Sequence, residues 1–123
     1  MKKKIIIEKF PNGTIKKEKI ASDNSHLIVE YFESGKIKFQ EPISNDKRHG
    51  TYIKYWENGQ PSDRTVYNQG LEDGKSILYN EKGQVWLEGQ YKSGKQIGEW
   101  IFHNGDGKIS RVEKYDENGN LIK

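Results

Sequence analysis

One short segment of the chain could be mistaken for part of an enzyme. Residues 74–76 read Gly-Lys-Ser and end like a phosphate-binding loop. That motif also needs a glycine five residues before Gly74, where Gln69 stands, and a helix after it. The segment therefore predicts no nucleotide site.

The other residues that could do chemistry are too scattered to form a site. The chain has no cysteine, so a thiol nucleophile, a thiolate zinc site and a disulfide framework are excluded. Three histidines, His26, His49 and His103, lie far apart, and Asn104 with Asp106 offers too few oxygen ligands for a calcium loop. No Ser-His-Asp or paired-carboxylate constellation can be placed in one cleft. We expect a protein that is not an enzyme and binds no cofactor or metal.

Aromatic residues and one arginine at even-numbered positions are better candidates for binding. Exposed Trp, Tyr and Arg are the residue types that dominate protein interfaces. The candidate partner-binding residues are Tyr52, Trp56, Arg64, Trp86, Trp100 and Phe102. The alternative is that the same aromatics only shield the backbone of a thin sheet. In the same way, the polar segment Asn45–His49 is either a contact site or a solvated turn.

The positive charge of the chain is confined to its beginning. Of 21 basic and 18 acidic residues, seven Lys and two Glu lie in residues 1–20, so this segment carries +5 and the rest carries −2. Binding to a phosphate backbone requires clustered Lys and Arg. We therefore expect no nucleic-acid partner.

The first residues imitate a targeting signal without completing one. Lysines at positions 2–4 precede three isoleucines, but Glu8 ends the apolar run far short of the 7–15 residues that a signal peptide needs. No later stretch approaches the roughly 20 apolar residues of a membrane span. We expect a cytoplasmic protein.

Internal repetition is the strongest pattern in the sequence. Two glycine series share a period of 24 residues, Gly35, Gly59, Gly83 and Gly107 in one and Gly50, Gly74 and Gly98 in the other. Most tyrosines follow half that period, namely Tyr31, Tyr55, Tyr67, Tyr79, Tyr91 and Tyr115. Such self-similarity is typical of repeat architectures.

Each 12-residue step has the composition of one strand and one turn. Aromatic and β-branched residues alternate with turn dipeptides such as Asn58-Gly59, and no window has the apolar period of a helix. Only 32% of residues are apolar, which favours a single thin layer. The pattern predicts an all-β protein, an elongated antiparallel β-meander of hairpin repeats in one twisted sheet.

The even repeat period also predicts which residues share a face of the sheet and which residues pair across neighbouring strands. Because side chains alternate along a strand, we expect odd-numbered residues such as Val29, Ile53 and Tyr67 on one face and the candidate residues on the other. Folding the hairpins about their turns predicts the cross-strand pairs Tyr79–Val85, Ile77–Leu87, Leu78–Trp86, Ile101–Arg111, Trp100–Val112 and Tyr52–Arg64.

Two segments resemble a known repeat. Tyr67-x-x-Gly70-x-x-x-Gly74 and Tyr91-x-x-Gly94-x-x-x-Gly98-x-Trp100 are similar to MORN repeats, specifically the bacterial MORN-variant repeats. The resemblance covers roughly residues 27–123, and residues 1–26 match only as a degenerate hairpin that we interpret as an N-terminal cap. Residues 43–50 depart from it because they lack the first tyrosine and glycine.

The resemblance implies a binding or scaffolding surface rather than a catalyst. Bacterial proteins of the variant class are commonly labelled antitoxins of toxin–antitoxin pairs, which implies an antitoxin or immunity protein that binds a toxin stoichiometrically. Eukaryotic members are linked to membranes and lipids, so the alternative is a peripheral lipid-binding scaffold. In that case the basic residues Lys2, Lys3, Lys4, Lys16, Lys17 and Lys19 would approach anionic lipids. The oligomeric state stays open.

Overall fold

The protein is one antiparallel β-sheet in the computed structural model, which describes residues 2–123. These residues form twelve strands and no helix: β1 (Lys3–Lys9), β2 (Ile15–Ala21), β3 (Ser25–Tyr31), β4 (Ile37–Ser44), β5 (Lys47–Arg48), β6 (Gly50–Tyr55), β7 (Pro61–Asn68), β8 (Leu71–Tyr79), β9 (Val85–Lys92), β10 (Lys95–His103), β11 (Ile109–Tyr115) and β12 (Leu121–Ile122). Neighbours in the chain are neighbours in the sheet, except that the short β5 pairs with β4 beside β6. The predicted all-β meander is confirmed. Since the described part of the chain has no helix, it has none that could cross a bilayer.

Two kinds of turn alternate between β3 and β11. In the first kind, Gly59 donates its N–H to the carbonyl of Trp56 at 3.0 Å and has a φ of 93°. This is a type I turn followed by a left-handed residue, and it needs glycine there. In the second kind, Gln69 and Gly70 both have positive φ, at 47° and 90°, as in a two-residue type I′ turn.

Residues 43–50, which depart from the MORN pattern, still form a turn of the second kind. Asn45 and Asp46 occupy the two positive-φ positions at 52° and 61°, where the later repeats have Gln69-Gly70 and Ser93-Gly94. Asn and Asp tolerate this conformation better than other non-glycine residues. The turn therefore survives the loss of its glycine.

A β-bulge follows each turn of the first kind except the last, which joins β11 to β12. Tyr79 pairs with Val85 as predicted, but the next pair is Leu78 with Leu87, so Trp86 is an extra residue. The remaining predicted pairs are wrong by one residue, because the observed partners are Ile77–Glu88, Leu78–Leu87, Ile101–Val112, Trp100–Glu113 and Tyr52–Thr65. An inserted residue of this kind cannot be seen by counting from the turn.

The bulges also overturn the predicted division into odd and even faces. Paired residues point to the same side of a sheet. When the register shifts by one residue, odd-numbered residues of one strand therefore share a face with even-numbered residues of its neighbour. The side that we call the tyrosine face carries Phe39, Tyr52, Tyr67, Tyr91, Trp100, Phe102 and Tyr115. The opposite side, the isoleucine face, carries Val29, Ile53, Ile77, Trp86, Ile101 and Val112.

Very little of this sheet is fully buried. Among the described apolar residues, only Val29 and Trp100 are buried, at 2% and 3% exposure. The indole of Trp100 lies over Gly89 on the neighbouring strand, where a Cβ atom would collide with it. Beside them on the same face, the hydroxyls of Thr65 and Ser76 are 2.8 Å apart. Glycine therefore makes the space for the largest buried side chain.

The N-terminal hairpin is continuous with the array. β2 pairs with β3 from Lys17–Glu30 to Ala21–His26, and the predicted boundary between residues 26 and 27 falls inside β3. Met1, the first residue of the predicted cap, lies outside the described residues. The cap is thus the first hairpin of one sheet.

Replacing Gly89 tests the packing of the tyrosine face. The added methyl group of Gly89→Ala must displace the indole of Trp100, so the free energy of unfolding should fall by about 1–3 kcal/mol. Gly105→Ala is the matched control, because no heavy atom lies within 4 Å of the point that its methyl group would occupy and its φ is ordinary. Urea denaturation measures both variants. Equal stability of the two would contradict the packing described.

Candidate functional site

The six candidate residues do not share one surface. Tyr52, Trp100 and Phe102 lie on the tyrosine face, whereas Arg64 and Trp86 lie on the isoleucine face. The prediction of one aromatic even-numbered face is wrong, because the bulges reverse the alternation between the two strands of each hairpin.

Trp100 is not exposed as the sequence pattern suggested. Its side chain is buried, and its ring meets that of Tyr91 edge-on at a centroid distance of 4.9 Å and an angle of 77°. Aromatic pairs in this arrangement are favourable beyond the area they bury. Trp100 therefore packs the sheet and has almost no surface to offer a partner.

The other two tryptophans differ in their surroundings. Trp56 precedes a turn, and its Nε1 donates to the carbonyl oxygen of Tyr79 at 3.3 Å, which ties one hairpin to the next. Trp86 is 42% exposed on the isoleucine face, where Ile109 and Val112 are also exposed. Of the three, Trp86 is the most accessible to a partner.

Arg48 is the best-anchored charged residue of the tyrosine face. Its guanidinium carbon lies 4.3 Å from the ring centre of Tyr52 and 4.8 Å from that of Tyr67. Its Nε and Nη2 donate to Glu41 Oε2 at 2.9 and 2.6 Å. Burial alone would lower the pKa of Arg48, but its interactions with Glu41 and Tyr67 together outweigh burial and raise the pKa. The arginine is held between two rings and a carboxylate.

Sequence reasoning missed this role of Arg48. The segment Asn45–His49 is neither a free contact loop nor a simple solvated turn, because only its first two residues form the turn and Lys47–Arg48 is strand β5. The partners of Arg48 come from β4, β6 and β7. No spacing within the sequence indicates that these three strands meet at one guanidinium.

The tyrosines of this face stand in a row across the strands. Tyr67 pairs with Gly50, Tyr91 with Gly74, and Tyr115 with Gly98, so each ring has a glycine opposite it. All three tyrosines are half-buried. These three glycines are required by their backbone, because their φ values of 116°, 129° and 67° are ones that other residues rarely adopt.

Two carboxylates accompany this row. Glu72 is the direct cross-strand partner of Tyr67, and Asp63 accepts a hydrogen bond of 2.8 Å from the hydroxyl of Thr65. Burial, followed by the nearby carboxylate of Glu72, raises the pKa of Tyr91, to which Asp63 also contributes. Within residues 2–123, neither carboxylate has a basic nitrogen within 4.0 Å.

The histidines take part in isolated contacts. His49 Nδ1 accepts the backbone N–H of Gln69 at 3.1 Å, and His103 Nε2 lies 3.5 Å from Glu88 Oε2 on the isoleucine face. In the described part of the chain, no three His, Asp or Glu side chains are grouped so that they could hold a metal ion. The side chain of His103 is mostly buried.

A second polar contact lies at the N-terminal end of the sheet. The hydroxyl of Tyr31 donates to Glu18 Oε1 at 2.6 Å, and Glu18 is only 5% exposed. Burial and the hydrogen bond to Glu18 raise the pKa of Tyr31 to about 12. This pair stabilises the junction of β2 and β3 and is separate from the tyrosine row.

Comparison with protein families identifies two repeats in the middle of the chain. Residues 48–69 and 72–93 each match the family described as MORN repeat variant. The two matches begin 24 residues apart, at Arg48 and at Glu72. MORN repeats are in general protein- or membrane-binding modules. No curated protein matches the chain.

The titration of Tyr31 is the first test of these contacts. Its pKa is about 12 in the folded protein and 10.0 ordinarily, so the stability that it contributes is complete below pH 10 and is lost as the pH rises through about 12. Absorbance of ionised tyrosine should show a late-titrating group that is missing in Tyr31→Phe. A spectrum in which the variant keeps the late group would refute the assignment.

The two tryptophans should respond differently to truncation. Trp100→Ala removes a buried side chain and should lower the free energy of unfolding by about 3–5 kcal/mol. Trp86→Ala, at an exposed position, should change it by only about 0.5 kcal/mol. Thermal denaturation by circular dichroism measures both variants. If Trp86→Ala lowered the free energy of unfolding as much as Trp100→Ala, Trp86 would be a packing residue.

Proposed function

We propose that this protein is a non-catalytic protein-binding module, an antitoxin or immunity protein that neutralises a toxin by stoichiometric binding through the tyrosine face. The row of half-buried tyrosines with its anchored arginine carries the proposal. The general role of MORN repeats as protein- or membrane-binding modules supports it. The toxin as partner rests on the resemblance to bacterial MORN-variant proteins.

The tyrosine face suits protein recognition physically. Tyrosine and arginine are enriched at the residues that dominate binding energy, because they offer a large contact area together with a polar group. Arg48 is already held by Glu41, Tyr52 and Tyr67, so it loses little conformational freedom when a partner binds. Binding to a preorganised surface of this kind costs less conformational entropy than binding to a flexible one.

The remaining charge pattern supports a protein partner over a nucleic acid. Beyond residue 20 the chain has a net charge of −2. The tyrosine face carries both signs of charge, with Glu41, Asp63 and Glu72 among Arg48, Lys54 and Arg111. Such a mixed surface lacks the clustered Lys and Arg that binding to a phosphate backbone requires. An inhibitor of this kind acts by covering the surface that the toxin needs, in the cytoplasm, without chemistry of its own.

One observation favours the lipid-binding alternative. Strand β1 is exposed along its whole length, and its isoleucines Ile5, Ile6 and Ile7 are 42%, 50% and 50% exposed beside the lysines. Basic residues with apolar neighbours are attracted to anionic membranes at about 1 kcal/mol for each Lys near the surface. The lysines point to both faces, however, since Lys17 and Lys19 pair with residues of the tyrosine face and Lys4 lies on the opposite side. A flat membrane would meet only some of them.

The proposal is tested by partner capture from the native host. The full chain, produced together with the protein of the neighbouring reading frame, should purify with it at equal stoichiometry and restore growth that the neighbour inhibits. Tyr67→Ala and Phe102→Ala, on the tyrosine face, should weaken the complex by about tenfold or more. Trp86→Ala, on the isoleucine face, should leave the dissociation constant within about twofold.

Three results would contradict this proposal. Absence of a co-purifying toxin under all growth conditions would refute the antitoxin role. A loss of binding in Trp86→Ala, with Tyr67→Ala and Phe102→Ala unaffected and folded by circular dichroism, would place the interface on the isoleucine face. Flotation with phosphatidylserine vesicles at physiological salt, abolished by replacing Lys2, Lys3 and Lys4 with Ala, would favour the lipid alternative.

A further inference from the structure

The two end strands of the sheet differ in the edge that they expose. At the C-terminal end, β12 consists of Leu121 and Ile122 alone, whereas β1 at the other end has seven residues, Lys3–Lys9. Within residues 2–123, β1 pairs only with β2, so no strand lies beside the main-chain N–H and C=O groups of its outer edge. Such a row of unpaired groups is a template for another strand. The long open edge of this sheet is therefore β1.

The regular part of this edge consists of two lysines followed by two isoleucines. Lys3, Lys4, Ile5 and Ile6 pair with β2 residue by residue, and the register shifts begin only after Ile6. Ile5 and Ile6 are 42% and 50% exposed. In the part of the chain that the structure describes, no carboxylate lies within 4.0 Å of the ammonium nitrogen of Lys3 or Lys4. The edge thus presents two cations and two apolar side chains to a partner.

Alternation of the side chains gives each face of this edge one lysine and one isoleucine. Lys3 and Ile5 lie on the side of the tyrosine face, and Lys4 and Ile6 lie on the side of the isoleucine face. A strand added in antiparallel orientation places its residues opposite these four in reverse order. Paired apolar side chains and opposite charges stabilise cross-strand neighbours. The complementary sequence is therefore two apolar residues followed by two acidic residues.

A second copy of the chain fits this edge poorly. Pairing of β1 with β1 of another molecule would bring two lysine-rich strands together, and residues 1–20 carry +5 in each molecule. Like charges directly opposite each other destabilise a strand pair. Lysine is also a residue with which exposed edges prevent pairing with one another. The charge of β1 therefore favours an acidic strand over a second β1.

A row of paired residues connects this edge with the tyrosine face. Ile5 pairs with Lys19, which in turn pairs with Ile28. Ile28 pairs with Glu41, whose carboxylate accepts the hydrogen bonds of Arg48. Three strand spacings, about 14 Å, separate β1 from β4. A partner that covers Arg48 can thus reach β1 with a neighbouring segment.

We propose that the outer edge of β1 binds an extended acidic segment of the protein partner, which adds one antiparallel strand to the sheet. The inference deepens the proposed function and rests on it for the partner. Main-chain hydrogen bonds join the segment to β1, its acidic residues lie opposite Lys3 and Lys4, and its apolar residues cover Ile5 and Ile6. In complexes of this kind, main-chain pairing provides affinity and the side chains provide specificity.

A short peptide tests the edge without knowledge of the partner. The probe is acetyl-Ser-Val-Ile-Glu-Glu-Ser-amide at physiological salt. It should shift the backbone NMR signals of Lys3–Ile6 saturably and slow the hydrogen exchange of amides in this segment, because a paired strand covers them.

Two control peptides separate strand pairing from simple charge attraction. The first has N-methyl groups at Val, Ile and both Glu, which keeps the side chains and removes the main-chain donors. The second has the reversed order Ser-Glu-Glu-Ile-Val-Ser, which in antiparallel pairing places acidic residues opposite the isoleucines. Neither should bind measurably. Binding of either control as tightly as the probe would overturn the proposal.

Reversal of charge on β1 provides the second arm. The double variant Lys3→Glu with Lys4→Glu should weaken the probe by about tenfold or more, since two opposite-charge pairs become like-charge pairs. It should instead bind acetyl-Ser-Val-Ile-Lys-Lys-Ser-amide, while the melting temperature stays unchanged because both residues are exposed. Lys82→Glu with Lys108→Glu makes the same change of charge at two exposed turn positions and should leave the affinity within about twofold. Unchanged binding of the probe to the folded β1 variant would contradict the inference.

Failure of this inference can be distinguished from failure of the proposed function. If a toxin is captured and the β1 double variant binds it as tightly as the parent chain, the edge site is wrong and the binding function stands. If the probe binds as described but no toxin is captured, the edge site stands and the antitoxin role is wrong. If phosphatidylserine vesicles bind the parent chain and the probe does not, the edge serves the lipid alternative and the inference is overturned.

Discussion

A single-layer sheet has no second layer to cover its faces, so its own side chains must shield the backbone. This constraint governs the structure, because only Val29 and Trp100 are buried among the described apolar residues. Aromatic rings lying over glycines provide the cover, as Trp100 does over Gly89. The half-buried tyrosines that pair with Gly50, Gly74 and Gly98 cover a further part of the same face. Rings in this position are held on one side and exposed on the other, which makes them packing and recognition groups at once.

The bulges decide which groups meet on each face. The extra residue of the bulge that follows a turn of the first kind brings Tyr52 to the same side as Thr65 and Ser76, and leaves Trp86 on the opposite side. As a result, polar and aromatic residues collect on the tyrosine face, while Ile53, Ile77 and Ile101 line the other. Without the bulges, each hairpin would mix the two sets, and no continuous surface of one character would exist.

The regular part of this fold could be predicted from the sequence, and the site could not. The 24-residue period, the all-β class and the turn at Gly59 follow from local composition, and they are confirmed. The faces were predicted wrongly, because parity is preserved by an even period but lost at every bulge, as the pairing of Tyr52 with Thr65 instead of Arg64 demonstrates. The environment of Arg48 is formed by residues of three strands, β4, β6 and β7, and the spacing of residues in the sequence does not indicate that these strands contact one side chain.

In this repeat array, the hydrogen bonds that hold the backbone do not depend on the charge of the side chain at the same position. The hydrogen bonds that Arg48 and Glu72 accept through their carbonyl oxygens are the same, so neither side chain is needed for them. The side chain at this position is therefore free to change from cation to anion without a change in strand pairing. Because the neighbouring tyrosines are half-buried in both repeats, such a change alters the charge presented beside a fixed aromatic surface. In an array of this kind, selectivity for a partner can change one repeat at a time while the stability of the sheet is conserved.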